Sequence, residues 1–250
     1  MEPTGKTALV TGGANRVGKA IALGLARAGA NVVINYHSSA AAAEQTVAEI
    51  RALGVAALAI QADIADATQV EAMVATASER FGGIDILVNS ADTWLETPLP
   101  TKSHELWHLV TGIGIDGPYY ASNAVAPWMI SRGEGVIVNI IDLSVWEPWP
   151  HYTAHSVSKS ALLALTRQLA LELAPHVRVN AIAPGPVLPP PGWTPERVEH
   201  VADKTLLNRW GSPEDILGAV LYFVRANYVT GETLAVDGGE RFGHRKREAG

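Results

Sequence analysis

Two side chains that could transfer a proton stand four residues apart in the segment HSVSK, at His155 and Lys159. Residues at this spacing lie on the same face of a helix, so the imidazole and the amine would be neighbours. Imidazole changes its charge near neutral pH and is suited to give a proton to a reacting group. Tyr152, one helical turn earlier, would add a phenol. The spacing predicts a site for proton transfer.

A glycine-rich turn near the start of the chain could bind phosphate. Residues 8–26 read ALVTGGANRVGKAIALGLA, which is an apolar strand, a turn and then an amphipathic helix. Gly12 and Gly18 would let the backbone approach a diphosphate closely, and the first N–H groups of the helix would bind it. Such glycines also suit a simple tight turn, but their place at the first strand–helix junction favours a dinucleotide site.

Short apolar runs alternate with amphipathic segments along the whole chain. Helical patterns include Ala40–Leu53 and Val70–Phe81. The predicted strands are Ala8–Thr11, Asn31–Asn35, Ala56–Gln61, Ile84–Asn89, Val136–Ile141, Val177–Ala183 and Thr233–Val236. This alternation predicts a single α/β domain over residues 1–250, a doubly wound parallel sheet (Rossmann fold) with helices on both faces. In that fold, ligands bind at the carboxyl ends of the strands.

Composition excludes several classes of function. The 250 residues carry a formal net charge of −6 and no cysteine. This argues against nucleic acid or an anionic membrane as partner, and against disulfides or a thiolate metal site. No apolar run approaches the ~20 residues that cross a bilayer, so we expect a cytoplasmic protein. The basic cluster from Arg241 to Arg247 is interpreted as part of a solvated tail, residues 240–250.

One segment breaks the alternation of strands and helices. From Pro184 to Pro195 the chain reads PGPVLPPPGWTP, with six prolines in twelve residues. Proline fixes φ and donates no ladder hydrogen bond, so this segment must leave the sheet and cross the surface. Because it follows the carboxyl end of a strand, we predict that residues 184–212 form a loop over the substrate. A rigid surface loop without function would have the same composition.

These motifs resemble those of the short-chain dehydrogenase/reductase family, whose fingerprint is TGxxxGxG. The likeness extends from about Lys6 to Gly239. The matching segments are LVNSA at 87–91, HSVSK at 155–159, RVNAIAPGPV at 178–187, RWGSPEDI at 209–216 and YVTGETLAVDGG at 228–239. Arg16 stands where most members have the middle glycine. Pteridine reductases also carry arginine there, near the cofactor phosphates and the pterin, so the chain is most similar to that branch.

The resemblance implies a nicotinamide cofactor, and the residues after the second strand favour NADPH over NADH. The stretch Asn35–Ser39 has no carboxylate that would bind ribose hydroxyls, and it is similar to HYHRS of pteridine reductases, with Ser38 in place of their arginine. The cofactor-binding residues implied are Gly12, Asn15, Arg16, Val17, Gly18, Tyr36, His37, Ser38, Ser39, Asp63, Ile64, Asn89, Ser90, Ala91, Lys159, Pro184, Gly185 and Val187. Three of these have alternative structural interpretations: Arg16 as a surface arginine without a ligand, Asp63 as a helix N-cap and Asn89 as a strand-end residue.

The resemblance also defines a catalytic set, from which this chain departs. The family uses Asn, Ser, Tyr and Lys. Here Lys159 matches, Asp142 replaces the serine as it does in pteridine reductases, Gly114 stands at the asparagine and His155 at the tyrosine. Three interpretations stay open: proton donation by His155, directly or through water; donation by solvent or Tyr152; and a cofactor-binding protein without redox activity.

Tryptophans on predicted loops indicate a flat substrate. Trp94 stands where the resemblance places an aromatic ring that stacks on a pterin, and Trp193 lies in the proline-rich loop. Trp146 and Trp149 follow the fifth strand and suit either the pocket or a subunit interface. The resemblance assigns Arg16 to the substrate as well as to the cofactor.

The sequence therefore predicts an NADPH-dependent reductase that transfers hydride to a C=N or C=O bond of a planar, pterin-like small molecule. The alternatives are a non-redox NADP-binding protein and a reductase of 3-oxoacyl groups or sugars. The family's habit of forming tetramers implies a homo-oligomer, and the Ala/Leu-rich stretch at residues 160–173 could pack against a copy of itself.

Overall fold

The computed structural model describes residues 1–245 and contains a parallel sheet of seven strands in the order β3-β2-β1-β4-β5-β6-β7. The strands are β1 Thr7–Val10, β2 Asn31–Tyr36, β3 Ala57–Gln61, β4 Ile86–Asn89, β5 Gly135–Ile140, β6 Val177–Pro184 and β7 Thr233–Val236. The helices are α1 Arg16–Arg27, α2 Ala40–Ala52, α3 Ala67–Phe81, α4 Glu105–Thr111, α5 Gly117–Arg132, α6 Thr153–Glu172, α7 Pro195–Lys204 and α8 Pro213–Arg225. The predicted doubly wound α/β fold is confirmed. Among the described helices, none combines the length and apolarity that crossing a membrane requires.

Helices cover both faces of the sheet. One face packs against α1 and α8 through residues such as Ile21, Leu25 and Phe223, and the other packs against α3 and α5 through Met73 and Met129. A parallel strand that is buried on both faces has no reason to alternate apolar and polar residues. This is why the strands are recognisable in the sequence as short, continuous apolar runs.

The strand order reverses beside β1, because the chain winds outwards from β1 to β3 and then returns to pair β4 on the other side of β1. The connections that leave β1 and β4 diverge and leave a crevice at the carboxyl edge of the sheet. Thr11 ties the two connections together, since its Oγ1 accepts hydrogen bonds from the N–H groups of Ser90 (3.0 Å) and Ala91 (3.1 Å). The glycine turn and the segment 89–91 border this crevice.

The proline-rich loop contains a helix that the sequence analysis did not predict. This helix, α7, begins at Pro195, and its N-cap Thr194 accepts a hydrogen bond from the N–H of Arg197. Proline suits the first turn of a helix, where its missing N–H would have had no partner. A run of prolines that ends a strand can therefore also begin a helix.

The C-terminal residues are held against the domain as far as the structure describes them. The segment Glu240–Arg245 forms a 3-10 turn. Arg241 places its Nε 3.7 Å from Oδ2 of Asp237 and its guanidinium 5.2 Å from the ring centroid of Trp146. Arg241 thus differs from the predicted solvated tail, and residues 246–250 lie outside the described residues.

Truncation of Phe223 to alanine tests the packing of α8. The side chain is 0 % exposed. We expect Phe223→Ala to lower the free energy of unfolding by about 3–5 kcal/mol, because apolar contacts are lost and a cavity remains. Tyr228→Ala is the control, since Tyr228 is 100 % exposed and its loss should change stability little. Equal effects of the two variants in chemical denaturation would contradict this packing.

Candidate active site

The turn after β1 allows a ligand to approach the backbone closely. Gly12 has φ +64°, and a Cβ on it would lie 2.8 Å from Cα of Ala91, while a Cβ on Gly18 would overlap the carbonyl oxygen of Gly12. The N-cap of α1, Asn15, makes no side-chain hydrogen bond to the first turn, whereas side chains cap α3 and α8. The N–H groups at the start of α1 are thus available to an anion, and the site fits a diphosphate. Val17, next in the helix, packs against the core.

The residues after β2 present hydroxyl groups and no carboxylate. Tyr36 is half-buried, His37 and Ser38 are exposed, and Ser39 is the N-cap of α2 but makes no side-chain hydrogen bond to that helix. The carbonyl of His37 accepts a hydrogen bond from Nε2 of Gln61 at 2.8 Å, which fixes the backbone of this loop. The loop therefore offers polar donors to a phosphate and no negative charge to repel it.

Three further predicted cofactor residues make contacts within the protein. Asp63 accepts a hydrogen bond from the N–H two residues later (2.9 Å), but the N-cap of α3 is Asp66, so the cap interpretation of Asp63 is wrong. Ile64 is buried in the core. Asn89 is buried and its Nδ2 donates to Oδ1 of Asn139 at 2.8 Å, which supports the structural interpretation of this strand-end residue.

The last predicted cofactor residues, Pro184, Gly185 and Val187, lie where β6 ends and the proline-rich loop begins. The N–H of Gly185 donates to the carbonyl of Val236 at 3.0 Å. A Cβ on Gly185 would lie 2.7 Å from Cα of Asp237, so the two backbones approach closely. This contact fixes the direction in which the backbone leaves the sheet beside the crevice.

The structure brings His155, Asp142 and Lys159 together and adds a fourth charged residue, Asp92. Nε2 of His155 lies 2.5 Å from Oδ2 of Asp142. Nζ of Lys159 lies 3.0 Å from Oδ2 of Asp92 and donates to the carbonyl of Ile140 at 3.1 Å. Oδ1 of Asp92 also faces Nδ1 of His155, at 3.9 Å. Two carboxylates thus flank one imidazole, and one of them also binds the lysine.

Asp142 is a buried anion. Burial alone raises the pKa of the Asp142 carboxyl, but the hydrogen bond from His155, the positive charge of Lys159 and the hydrogen bond from Ser144 outweigh burial and hold that pKa below its ordinary value. Ser144 donates to Oδ1 from its N–H at 2.8 Å and from its Oγ at 2.5 Å. An ionised carboxylate only accepts hydrogen bonds, so Nε2 of His155 carries a proton.

Three aromatic rings enclose His155. Trp149 stacks on the imidazole with centroids 5.7 Å apart and an interplanar angle of 12°, and Trp94 approaches edge-on at 4.9 Å and 65°. Nε1 of Trp94 donates to Oη of Tyr152 at 3.0 Å, which holds the indole in place. His155 is 1 % exposed, whereas Trp94 is 54 % exposed. The imidazole is therefore covered, and Trp94 presents an open surface to a flat ligand.

Position 114 has no room for a side chain. Gly114 lies in the π-helical segment Gly112–Asp116, between α4 and α5. A Cβ on Gly114 would lie 2.7 Å from Cβ of Ser158 on α6. The Oγ of Ser158 is itself buried and makes no hydrogen bond within the described part of the chain. An asparagine at position 114 would therefore require α6 or the π-helical segment to shift.

Arg16 contacts the proline-rich loop. It adopts φ +50°, and its Nη2 donates to the carbonyl oxygens of Leu188 at 2.9 Å and Pro189 at 3.4 Å. In the same loop, the guanidinium of Arg197 lies 4.0 Å from the ring centroid of Trp193. The loop is thus fastened to the first residue of α1, beside the glycine turn.

The predicted tryptophans do not all gather at one place. Trp94 lies beside His155, but Trp146 packs against the C-terminal turn and Trp193 within the proline-rich loop. The indole that stacks on the imidazole is Trp149, three residues after Trp146. Trp94 and Trp149 are therefore the tryptophans whose rings contact the imidazole of His155.

Sequence reasoning missed Asp92 and Ser144. Asp92 follows the segment LVNSA and is the third residue after β4, and Ser144 is two residues after Asp142. A signal for Asp92 was present, since a carboxylate just beyond the strand that neighbours β1 must lie near the crevice. No signal in the sequence indicated that it would reach Lys159 on α6.

Comparisons with known proteins agree with this architecture. Residues 12–240 match the family described as Enoyl-(Acyl carrier protein) reductase. The chain is 35 % identical over 245 residues to 3-oxoacyl-[acyl-carrier-protein] reductase of Synechocystis sp. (94 % of this chain, 97 % of the relative). It is 37 % identical over 248 residues to 3beta-hydroxysteroid dehydrogenase 1 of Eggerthella lenta (94 % and 93 %). The structure of FolM alternative dihydrofolate reductase 1 from Brucella canis, complexed with NADP, has a TM-score of 0.89 and 35 % identity to this chain. The match covers 100 % of this chain and 98 % of the FolM chain.

The parallel sheet, the glycine turn at its first crossover and the charged cluster at its carboxyl edge define a Rossmann-type oxidoreductase. The chain belongs to the short-chain dehydrogenase/reductase family. Its relatives are named for different substrates, 3-oxoacyl groups, a hydroxysteroid and dihydrofolate. Membership therefore fixes the class of reaction but leaves the substrate to be argued from the pocket.

Replacement of Gly18 by alanine tests the dinucleotide site. The added methyl group would overlap the carbonyl oxygen of Gly12 and push the turn out of shape. We expect calorimetric titration with NADPH to show an affinity at least tenfold lower, a loss of about 1.4 kcal/mol. The matched control is Gly218→Ala, because a Cβ there meets nothing within 4 Å. Unchanged affinity in Gly18→Ala would contradict this location of the diphosphate.

Proposed function

We propose that this protein is an NADPH-dependent reductase that transfers hydride to a C=N or C=O bond of a planar, pterin-like heterocycle. In this proposal His155 takes the place of the family's tyrosine as proton donor. The observation that carries it is the 2.5 Å contact between Nε2 of His155 and Asp142, made under a cover of aromatic rings beside the crevice.

Several features support NADPH as the cofactor. The glycine turn and the uncapped start of α1 would hold its diphosphate, and Lys159 its nicotinamide ribose. His37, Ser38 and Ser39 would hydrogen-bond a 2′-phosphate, and the loop they form contains no acid. The related FolM structure was solved with NADP. The cofactor supplies the hydride, and the chain's own residues bind, orient and provide the proton.

The proton would come from the imidazole. Asp142 anchors the ring through Nε2 and Ser144 anchors Asp142, so the ring is held in one orientation. Imidazole suits this task because its acidity lies close to physiological pH. Tyr152 stays the alternative donor, because its phenol oxygen accepts a hydrogen bond from Trp94 and keeps its own O–H to donate.

A planar heterocyclic substrate is supported by the pocket's open surface. Trp94 is exposed at the mouth, and an indole offers a large flat face for stacking. Arg16 would contact both the cofactor phosphates and the substrate, and the loop at residues 184–212 would cover them.

Exposed Val157 and Leu171 on α6 agree with assembly through this helix, and we propose a homotetramer.

A second candidate is a non-redox NADP-binding protein. It is favoured by the near-complete burial of His155 and by the absence of room at Gly114 for the family's asparagine. A reductase and a non-redox protein would both bind NADPH, so a measurement of turnover separates the two candidates. A third candidate, a reductase of 3-oxoacyl groups, is supported by the relative from Synechocystis.

Turnover with a panel of pterins, cyclic imines and ketones tests the reductase proposal. We expect NADPH oxidation with at least one flat heterocycle, and we expect His155→Ala to lower kcat by about 10²–10⁴-fold, because a positioned acid contributes that much. His176→Ala, at an exposed histidine, is the control and should match the parent protein. Binding of NADPH without oxidation by any compound would overturn the proposal and favour the non-redox candidate.

Truncation of Trp94 separates the possible substrates. We expect Trp94→Ala to raise KM for a flat heterocycle about tenfold, equivalent to roughly 1.4 kcal/mol of stacking, with a smaller effect on kcat. KM for a short 3-oxoacyl thioester should not change. Trp128→Ala, at an exposed tryptophan on α5, is the matched control. An equal rise in KM for both substrates would argue against the heterocycle.

A further inference from the structure

One nitrogen of His155 is committed to its anchor. Nε2 lies 2.5 Å from Oδ2 of Asp142, and the other oxygen of that carboxylate accepts two hydrogen bonds from Ser144. Charge-assisted hydrogen bonds of this length are among the strongest in proteins. A proton on Nε2 therefore stays in the hydrogen bond to Asp142. Loss of that proton from Nε2 would break the contact that orients the ring.

The other nitrogen, Nδ1, is buried and makes no hydrogen bond within the described part of the chain. One face of the ring is covered by Trp149, and Trp94 packs against it edge-on. The charged atom that faces Nδ1 is Oδ1 of Asp92, at 3.9 Å. This separation is too long for a hydrogen bond and short enough for a strong electrostatic effect.

Asp92, the residue that faces this nitrogen, is itself partly exposed to solvent. Its side chain is 36 % exposed, whereas the imidazole is buried. Its second oxygen, Oδ2, lies 3.0 Å from Nζ of Lys159, and this ion pair fixes the carboxylate on the Nδ1 side of the ring. The titratable groups around the imidazole are thus Asp142 from the loop after β5, Asp92 from the loop after β4, Lys159 on α6, and Tyr152 at the start of α6.

We propose that Asp92 is a positioning residue that stabilises a proton on Nδ1 of His155, so that the ring gives up its proton from Nδ1 and recovers it there from water. In the step, the Nδ1–H bond breaks and its electron pair stays on the ring. The proton joins the substrate nitrogen or oxygen that has become electron-rich. The neutral ring keeps its Nε2–H on Asp142, and a proton taken up from bulk solvent, which the overall reduction consumes, restores Nδ1–H beside Asp92. This inference rests on the proposed reductase function.

The direct test is ¹⁵N NMR of the histidine side chains in the parent protein and in Asp92→Asn, which removes the charge and keeps the shape. Loss of a negative charge near the ring disfavours its protonated form. We expect the pH at which the Nδ1 signal of His155 changes from protonated to unprotonated to fall by about one unit, while the Nε2 signal stays that of a protonated nitrogen. Asp92→Glu should restore most of this shift.

Glu96→Gln is the matched control, because it removes the same charge from the same exposed loop four residues away, and it should leave both signals unchanged. In turnover, kcat should fall off with rising pH about one unit earlier in Asp92→Asn than in the control. A lower kcat at every pH with no movement of the midpoint would show that Asp92 only holds Lys159, and would overturn the proposal. A change at Nε2 in place of Nδ1 would also overturn it.

The NMR measurement separates this inference from the reductase function. If no compound is reduced but the Nδ1 signal responds to Asp92 as expected, the reductase proposal fails and the effect of Asp92 on the ring stands. If turnover is found but Asp92→Asn changes neither the Nδ1 signal nor the pH profile, only the proposed role of Asp92 fails.

Discussion

The hydrogen bond between Asp142 and His155 determines how the rest of the site is arranged. Burying a carboxylate is costly unless it is paired, and here the imidazole and Ser144 satisfy it on both oxygens. Because the ring is fixed through Nε2, Trp149 can stack on its face and Nδ1 must point away from Asp142. Without this bond, neither the aromatic cover nor the placement of Nδ1 opposite Asp92 would follow.

The sheet brings Asp92 to this bond from a distant part of the chain. Asp92 follows β4, Asp142 follows β5, and His155 lies in the first turn of α6. Parallel strands release their loops at one edge, so residues that are 50 or more positions apart in sequence meet there. Thr11 connects the glycine turn to the same edge through two backbone hydrogen bonds. The glycine turn and the cluster around His155 therefore lie at the same edge of the sheet.

Features that follow from local pattern were predictable, and those that depend on loop packing were not. The strand predictions lie within two residues of the observed ends, and the pairing of His155 with Lys159 on one face of α6 follows from their spacing. The choice of Trp149 over Trp146 as the stacking ring depends on how a short 3-10 turn rotates the loop. The contact of Asp92 with α6 likewise joins elements that no local pattern links. The helix in the proline-rich loop was missed because proline was interpreted only as a breaker.

In the proposed reductase, the attachment of Arg16 to Leu188 and Pro189 would influence the order in which ligands bind. A guanidinium carries its donors in one rigid plane, so turning it towards a phosphate withdraws it from the loop carbonyls. Binding of the coenzyme phosphates would thereby break the hydrogen bonds from Arg16 to the loop, whereas a substrate that bound first would find those bonds still in place. In the proposed reductase, this one side chain would favour binding of the coenzyme before the substrate.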